Sequence, residues 1–65
     1  MPLIVARIME GRPPEKIEAL IAALTEATHQ ALDAPKDSVR VIVEEVPKTH
    51  WGIGGLRHEQ FLDPD

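Results

Sequence analysis

The sequence contains no cysteine and no tyrosine, and its 65 residues include only two aromatic side chains, Trp51 and Phe61. Without cysteine the chain can form neither disulfides nor thiolate zinc sites, and it has no thiol nucleophile. In a chain this short, the burial of a small core roughly balances the loss of conformational entropy. Small domains are usually reinforced by disulfides, metals or partner subunits, so self-association is the reinforcement that we expect.

Long apolar runs and an excess of positive charge are also absent. The apolar run at the start, 3–6, is cut off by Arg7, which makes it too short for a signal-peptide core or a membrane span. The net charge is -4, whereas a protein that binds nucleic acid without sequence preference is expected to be basic. We therefore expect no nucleic-acid partner, no membrane partner and a cytoplasmic location.

The hydrophobic pattern predicts a strand, a helix and a second strand. Residues 3–9 form a nearly continuous apolar run, typical of a strand buried on both faces. Residues 14–32 predict an amphipathic helix with a proline in its first turn, stopped by Asp33-Ala34-Pro35. The β-branched run 39–46 predicts the second strand. The predicted buried stripe of the helix comprises Ile17, Leu20, Ile21, Leu24, Ala27, Thr28, Ala31 and Leu32, with Glu18, Glu26, His29 and Asp33 opposite.

This order of elements predicts an α+β fold in a single domain over residues 1–65. A helix between two strands is a β-α-β crossover, in which the strands pair in parallel. After Pro47, the glycine-rich segment 48–55 predicts a tight turn or a hairpin. The helix can cover only one face of a two-stranded sheet, and other copies of the chain are the simplest cover for the second face.

Pro2 is the first candidate for chemistry. Initiator methionine is normally removed when a small residue follows it, and removal would leave a secondary amine at the head of an apolar strand. Apolar surroundings and nearby arginines disfavour the ammonium form, so the pKa of such an amine falls and it becomes a general base at neutral pH. The alternative interpretation is that Pro2 has no function, because proline after the initiator methionine is common.

Arginines are the second candidate. Arg12 follows the first strand, and Arg7 and Arg40 interrupt the two apolar runs. A buried arginine needs a partner, because an unpaired buried charge is costly. The pattern favours a structural pair between Arg40 and Glu44 and leaves open a bound carboxylate.

Three segments together resemble the 4-oxalocrotonate tautomerase family. They are Met-Pro-Leu-Ile-Val-Ala-Arg-Ile-Met-Glu-Gly-Arg at 1–12, Leu-Asp-Ala-Pro-Lys-Asp-Ser-Val-Arg-Val-Ile-Val-Glu-Glu at 32–45 and Lys-Thr-His-Trp-Gly-Ile-Gly-Gly at 48–55. The resemblance implies a β-α-β fold with a short C-terminal hairpin and a homohexamer built as a trimer of dimers. It also implies cofactor-free keto–enol isomerisation of 2-hydroxydienoates such as 2-hydroxymuconate, which belongs to aromatic hydrocarbon catabolism.

The same resemblance assigns roles to residues. Pro2 would be the general base, Arg12 would bind the distal carboxylate of a dicarboxylate or 2-keto acid substrate, and Arg40, from another subunit, would contact the other carboxylate and the 2-oxygen. Trp51 would form an apolar wall where the family usually has phenylalanine. The remaining substrate contacts would come from Met9 and Ile53.

Two other functions remain open. Relatives that hydrate or dehalogenate 3-haloacrylates carry a glutamate where this chain has Ile53, which argues against that chemistry. A non-catalytic oligomeric scaffold or binding protein of the same fold is the second alternative. We expect no metal site, because His29 falls on the polar helix face and His50 and His58 flank the hairpin. Residues 56–65 depart from the family pattern.

Overall fold

The computed structural model describes residues 1–57 and confirms the predicted α+β class. Its elements are β1 (Leu3–Met9), α1 (Pro14–Leu32), a 3₁₀ turn (Lys36–Ser38), β2 (Arg40–Val46), a second 3₁₀ turn (Lys48–His50), β3 (Gly52–Ile53) and β4 (Leu56–Arg57). The short strands β3 and β4 form the predicted C-terminal hairpin. Predictions that concern His58 and Phe61 lie outside the described residues.

The two long strands pair in parallel, as the crossover argument predicts. The register runs from Leu3 opposite Arg40 to Met9 opposite Val46. Beyond the strand ends, the Arg40 N–H donates to the Pro2 carbonyl at 2.9 Å and the Glu10 N–H donates to the Val46 carbonyl at 2.9 Å. The ladder therefore holds Pro2 at one end of the sheet and Glu10 at the other.

Helix α1 has the predicted bounds, but its buried stripe is narrower than the sequence predicts. Pro14 occupies the first turn, where no backbone donor is needed, and Asp33 ends the helix in a left-handed conformation with φ of 57°. Four of the predicted stripe residues are half-buried, namely Ile17, Leu20, Leu24 and Thr28. The other four, Ile21, Ala27, Ala31 and Leu32, are exposed, because a two-stranded sheet is too narrow to cover a wide helix stripe.

Two residues predicted on the polar helix face, Glu26 and His29, are instead half-buried at the end of α1. The Glu26 carboxylate lies 2.6 Å from Lys36 Nζ. Hydrogen bonds from Lys36 and then from Gln30 lower the pKa of Glu26 below its ordinary value. His29 Nδ1 lies 2.6 Å from the Ala34 carbonyl oxygen, which can only accept, so Nδ1 carries the proton. These contacts fasten the helix end to the following loop.

The second face of the sheet is open in the single chain. Leu3 is 57% exposed, Val5 46% and Ile42 48%. The single helix of one chain packs on one face of the sheet only, so burial of the second face stays a prediction about the assembled protein. This open apolar face is the one that, on the sequence argument, other copies of the chain would cover.

Arg7 and Glu44 form an ion pair on this open face. They lie opposite each other in the parallel register, and Arg7 Nε donates to Glu44 Oε2 at 2.8 Å. This hydrogen bond, and then the opposite charge, raises the pKa of Arg7. The predicted pair between Arg40 and Glu44 is therefore wrong: the register places Glu44 beside Arg7, and Arg40 beside Leu3.

Candidate active site

The head of β1 brings Pro2 and Arg40 together. Pro2 is half-buried, and its carbonyl accepts the Arg40 N–H within the same chain. Its nitrogen is an amide while Met1 precedes it, and loss of Met1 converts it into a secondary amine with a lone pair. The arrangement places that nitrogen at the end of an apolar strand, next to a residue that carries a permanent positive charge.

The Arg40 side chain is exposed rather than buried, so the sequence expectation about its burial is wrong for the single chain. Its Nη1 donates to the Asp37 carbonyl at 2.7 Å and to the Val39 carbonyl at 3.4 Å. No carboxylate among residues 1–57 forms an ion pair with it. The guanidinium therefore keeps donors for an anionic ligand.

Arg12 lies at the opposite end of β1, in the turn that leads into α1. Its Nη1 donates to the carbonyl of the half-buried Met9 at 3.0 Å. Arg12 lines a cavity of about 770 Å³ between the end of β1 and the start of α1. The other lining residues are Ile8, Gly11, Pro13, Lys16, Ile17, Ala19 and Leu20.

These two ends are too far apart to serve one small substrate within one chain. Strand β1 has seven residues, which corresponds to about 23 Å at roughly 3.3 Å per residue. A six-carbon dicarboxylate cannot span this distance. The structure thus brings Pro2 together with Arg40 and Met9 together with Arg12, but it does not bring the two groups together in a single chain.

The predicted aromatic wall and its neighbour lie in the C-terminal hairpin. Trp51 is half-buried, and its N–H donates to the Lys48 carbonyl at 3.3 Å. Ile53 is half-buried and pairs with Leu56 across the hairpin. Gly54 and Gly55 make the turn with φ of 60° and 89°, which explains the glycine-rich composition there.

Gly11 shapes the turn that presents Arg12, and its replacement by alanine is expected to weaken the fold. Its φ of 122° is a conformation that side chains rarely adopt, whereas the nearest atom to an added Cβ, Lys48 Cε at 3.6 Å, is at ordinary contact distance. Backbone strain should therefore lower the free energy of unfolding by about 1–3 kcal/mol. Urea denaturation measures this loss.

Gly52→Ala is the matched control, because Gly52 has no positive φ and its added Cβ would lie 3.8 Å from the Leu56 carbonyl oxygen. We expect the control to unfold close to the wild type. Equal stabilities of Gly11→Ala and wild type would contradict the argument from backbone conformation.

Two lysines near the turn that carries Arg12, Lys16 and Lys48, were not predicted from the sequence as site residues. Lys16 lines the same cavity as Arg12, and Lys48 Nζ would lie 3.8 Å from a Cβ at Gly11. The position of Lys16 at the start of the predicted helix, close to Arg12 along the chain, was the available signal for Lys16. Nothing in the sequence pattern places Lys48 there, since it is distant along the chain.

Among residues 1–57, no group of three or more histidine or acidic side chains is arranged to hold a metal ion.

The fold and the position of Pro2 agree with a β-α-β class of small oligomeric isomerases, and comparison with known proteins shows the family. The model of the family described as "Tautomerase enzyme" matches residues 2–60. This chain belongs to the tautomerase family.

Within residues 1–57, no helix is long and apolar enough to cross a membrane.

Relatives of known name are similar over most of their length. A probable tautomerase of Ralstonia nicotianae is 47% identical over 64 residues, which is 98% of this chain and 91% of that protein. A 2-hydroxymuconate tautomerase of Stutzerimonas stutzeri is 53% identical over 55 residues, covering 85% of this chain and 87% of that protein.

Solved structures of the same fold are also similar. TomN, a 4-oxalocrotonate tautomerase homologue in the tomaymycin biosynthetic pathway, superposes with a TM-score of 0.90 at 45% identity, covering 98% of this chain and all (100%) of its own. A heterohexameric 4-oxalocrotonate tautomerase from Chloroflexus aurantiacus superposes with a TM-score of 0.85 at 42% identity, covering 88% of this chain and 92% of its own.

Proposed function

We propose that this protein, after removal of Met1, is a cofactor-free tautomerase that interconverts the enol and keto forms of 2-hydroxydienoates such as 2-hydroxymuconate. The observation that carries the proposal is the position of Pro2 at the head of β1, where its carbonyl accepts the Arg40 N–H, while the Arg40 side chain forms no ion pair within residues 1–57. Removal of Met1 would give a basic nitrogen at this position. The 2-hydroxymuconate tautomerase of Stutzerimonas stutzeri, 53% identical, supports the choice of substrate.

In this mechanism Pro2 moves the proton. Its unprotonated nitrogen takes the proton from the 2-hydroxyl of the enol, which leaves a dienolate with its negative charge spread over the conjugated chain. The resulting ammonium then returns the proton to carbon 5, giving the conjugated ketone. An amine whose pKa is lowered by apolar surroundings and positive neighbours performs both transfers near neutral pH.

Two arginines fix the substrate and stabilise the developing charge. Arg40, supplied by another chain as the family resemblance implies, contacts the 2-oxygen and the carboxylate beside it, where donors placed in advance lower the energy of the dienolate. Arg12 holds the distal carboxylate. Trp51, Met9 and Ile53 supply apolar walls that exclude water, which also keeps the amine unprotonated.

We further propose that the site is composite and forms only in an oligomer. Pro2 and Arg12 of one chain are separated by the length of β1, so a substrate that touches both must use residues of two chains. The open apolar face of Leu3, Val5 and Ile42 is the surface that other copies would cover. A homohexamer agrees with the heterohexamer of the Chloroflexus aurantiacus relative. A single domain over residues 1–65, a cytoplasmic location and a role in aromatic hydrocarbon catabolism remain predictions.

The test is an assay of protein whose amino terminus has been checked by intact mass. Met-free protein should ketonise 2-hydroxymuconate, whereas protein that retains Met1 should be inactive because its Pro2 nitrogen is an amide. Activity that is equal with and without Met1 would contradict the proline mechanism. Native retention of Met1 would favour a non-catalytic scaffold, and turnover of 3-chloroacrylate would favour the hydratase and dehalogenase branch despite Ile53.

A further inference from the structure

The cavity beside Arg12 contains a second positive charge that the proposed mechanism does not use. Lys16 lies in the first turns of α1, is exposed, and lines the cavity together with Arg12. The apolar part of the lining comes from the half-buried Ile8, Ile17 and Leu20. The cavity thus combines apolar side chains with two cations, which suits a ligand that has an apolar body and an anionic end.

Neither cation is neutralised by the part of the chain that the structure describes. The ion pairs there join Arg7 to Glu44 and Lys36 to Glu26, and neither pair involves Arg12 or Lys16. One carboxylate is close by, since Glu10 Oε1 accepts the Lys48 N–H at 3.3 Å, but it forms no ion pair with either cavity cation. In a chain of net charge -4, two unpaired cations in one cavity form a local positive site.

We infer that Lys16 is a specificity-determining residue, which together with Arg12 selects substrates that carry a second carboxylate. The inference rests on the proposed function, because that function assigns the distal carboxylate to Arg12. A carboxylate has two oxygens and can accept hydrogen bonds from both cations at once. Lys16 therefore increases the affinity for a dicarboxylate, and it does not change the affinity for a ligand whose distal end is apolar.

A matched pair of ligands that do not react tests this directly. Muconate and sorbate share a six-carbon diene, but muconate has a carboxylate at each end and sorbate at only one. Calorimetry should show that Lys16→Met weakens muconate binding by roughly threefold to tenfold and leaves sorbate binding unchanged. Lys16→Arg, which keeps the charge, should retain most of the muconate affinity.

Lys36→Met is the control, since it removes the same charge from a lysine outside the cavity. It should bind both ligands as the wild type does. The preference of the wild type for muconate over sorbate should also shrink as salt is added, because exposed charges are screened. Muconate binding that is equal in Lys16→Met and wild type, or equally weakened in Lys36→Met, would overturn the inference.

Turnover gives a second readout that separates this inference from the proposed function. With 2-hydroxymuconate, Lys16→Met should raise KM and leave kcat nearly unchanged, since the lost contact exists in both ground and transition states. A wild type that binds muconate through Lys16 but has no tautomerase activity would refute the proposed function and support the inference. An active wild type whose KM is unaffected by Lys16→Met would refute the inference alone.

Discussion

Replacing Pro2 by alanine is expected to lower kcat for 2-hydroxymuconate by about 10²–10⁴-fold, the usual contribution of a general acid–base group. Alanine still leaves an amino group after methionine removal, but it is a primary amine on a backbone that the pyrrolidine ring no longer restrains. Its ordinary pKa of about 7.7–8.0 also leaves much of it protonated at neutral pH unless the site lowers it. Steady-state assays across pH measure the loss.

Pro14→Ala is the matched control for this experiment. Pro14 is exposed in the first turn of α1 and lies outside the cavity, and alanine is the best residue for a helix. Pro14→Ala should therefore keep wild-type kcat. The Pro2→Ala protein must show the wild-type circular dichroism spectrum and the wild-type oligomer mass, so that lost folding is not mistaken for lost chemistry. Full activity in Pro2→Ala would refute the mechanism in which Pro2 is the general base.

Placing a carboxylate on the open sheet face by Ile42→Glu is expected to abolish assembly and activity together. Ile42 is 48% exposed in the single chain and lies opposite Val5 in the register, so the substitution costs one chain little. If another chain covers this face, the new carboxylate is buried among apolar side chains, since Arg7 already pairs with Glu44 and a pair with Arg40 would occupy the guanidinium that the proposed site needs. Burying the new carboxylate at the interface should cost about 3–5 kcal/mol. This cost would raise the protein concentration needed for assembly by about 10²–10⁴-fold.

Ala31→Glu is the control for charge, because it adds the same group at an exposed position of α1. Light scattering and activity are measured over a dilution series. Ala31→Glu should remain assembled and active, while Ile42→Glu should dissociate and lose activity over the same range of concentrations. A dissociated Ile42→Glu chain that retained activity would contradict the composite site, since the distance from Pro2 to Arg12 forbids a complete site in one chain.

The short-range elements of this protein could be predicted from its sequence. The bounds of β1 and α1 follow from the apolar run 3–9, from Pro14 in the first helical turn and from Pro35 after the helix, all of which act on the local backbone. Parallel pairing follows from the length of the crossover helix. Pro2, Arg12 and Arg40 are candidates from the sequence pattern, but their roles came from the resemblance to a family, because the chemistry of these residues depends on neighbours that local pattern does not specify.

The width of the helix stripe and the partner of Arg40 were predicted wrongly because both depend on which surfaces meet. Burial of the second sheet face depends on the same thing. Periodicity predicts that a residue such as Val5 prefers an apolar environment, but it does not say whether the same chain or another copy provides that environment. Likewise, the pair between Arg7 and Glu44 depends on strand register, which is set by contacts between residues far apart in the chain.

Composition and periodicity predict that a chain of 65 residues without cysteine is reinforced by other copies, and that its elements run strand, helix, strand and turn. The three-dimensional structure adds that the uncovered face carries Leu3, Val5 and Ile42, and that Lys16 joins Arg12 at one cavity. It also shows Pro2 and Arg12 at opposite ends of β1. Composition and periodicity act residue by residue, whereas these placements arise from register and packing between distant segments.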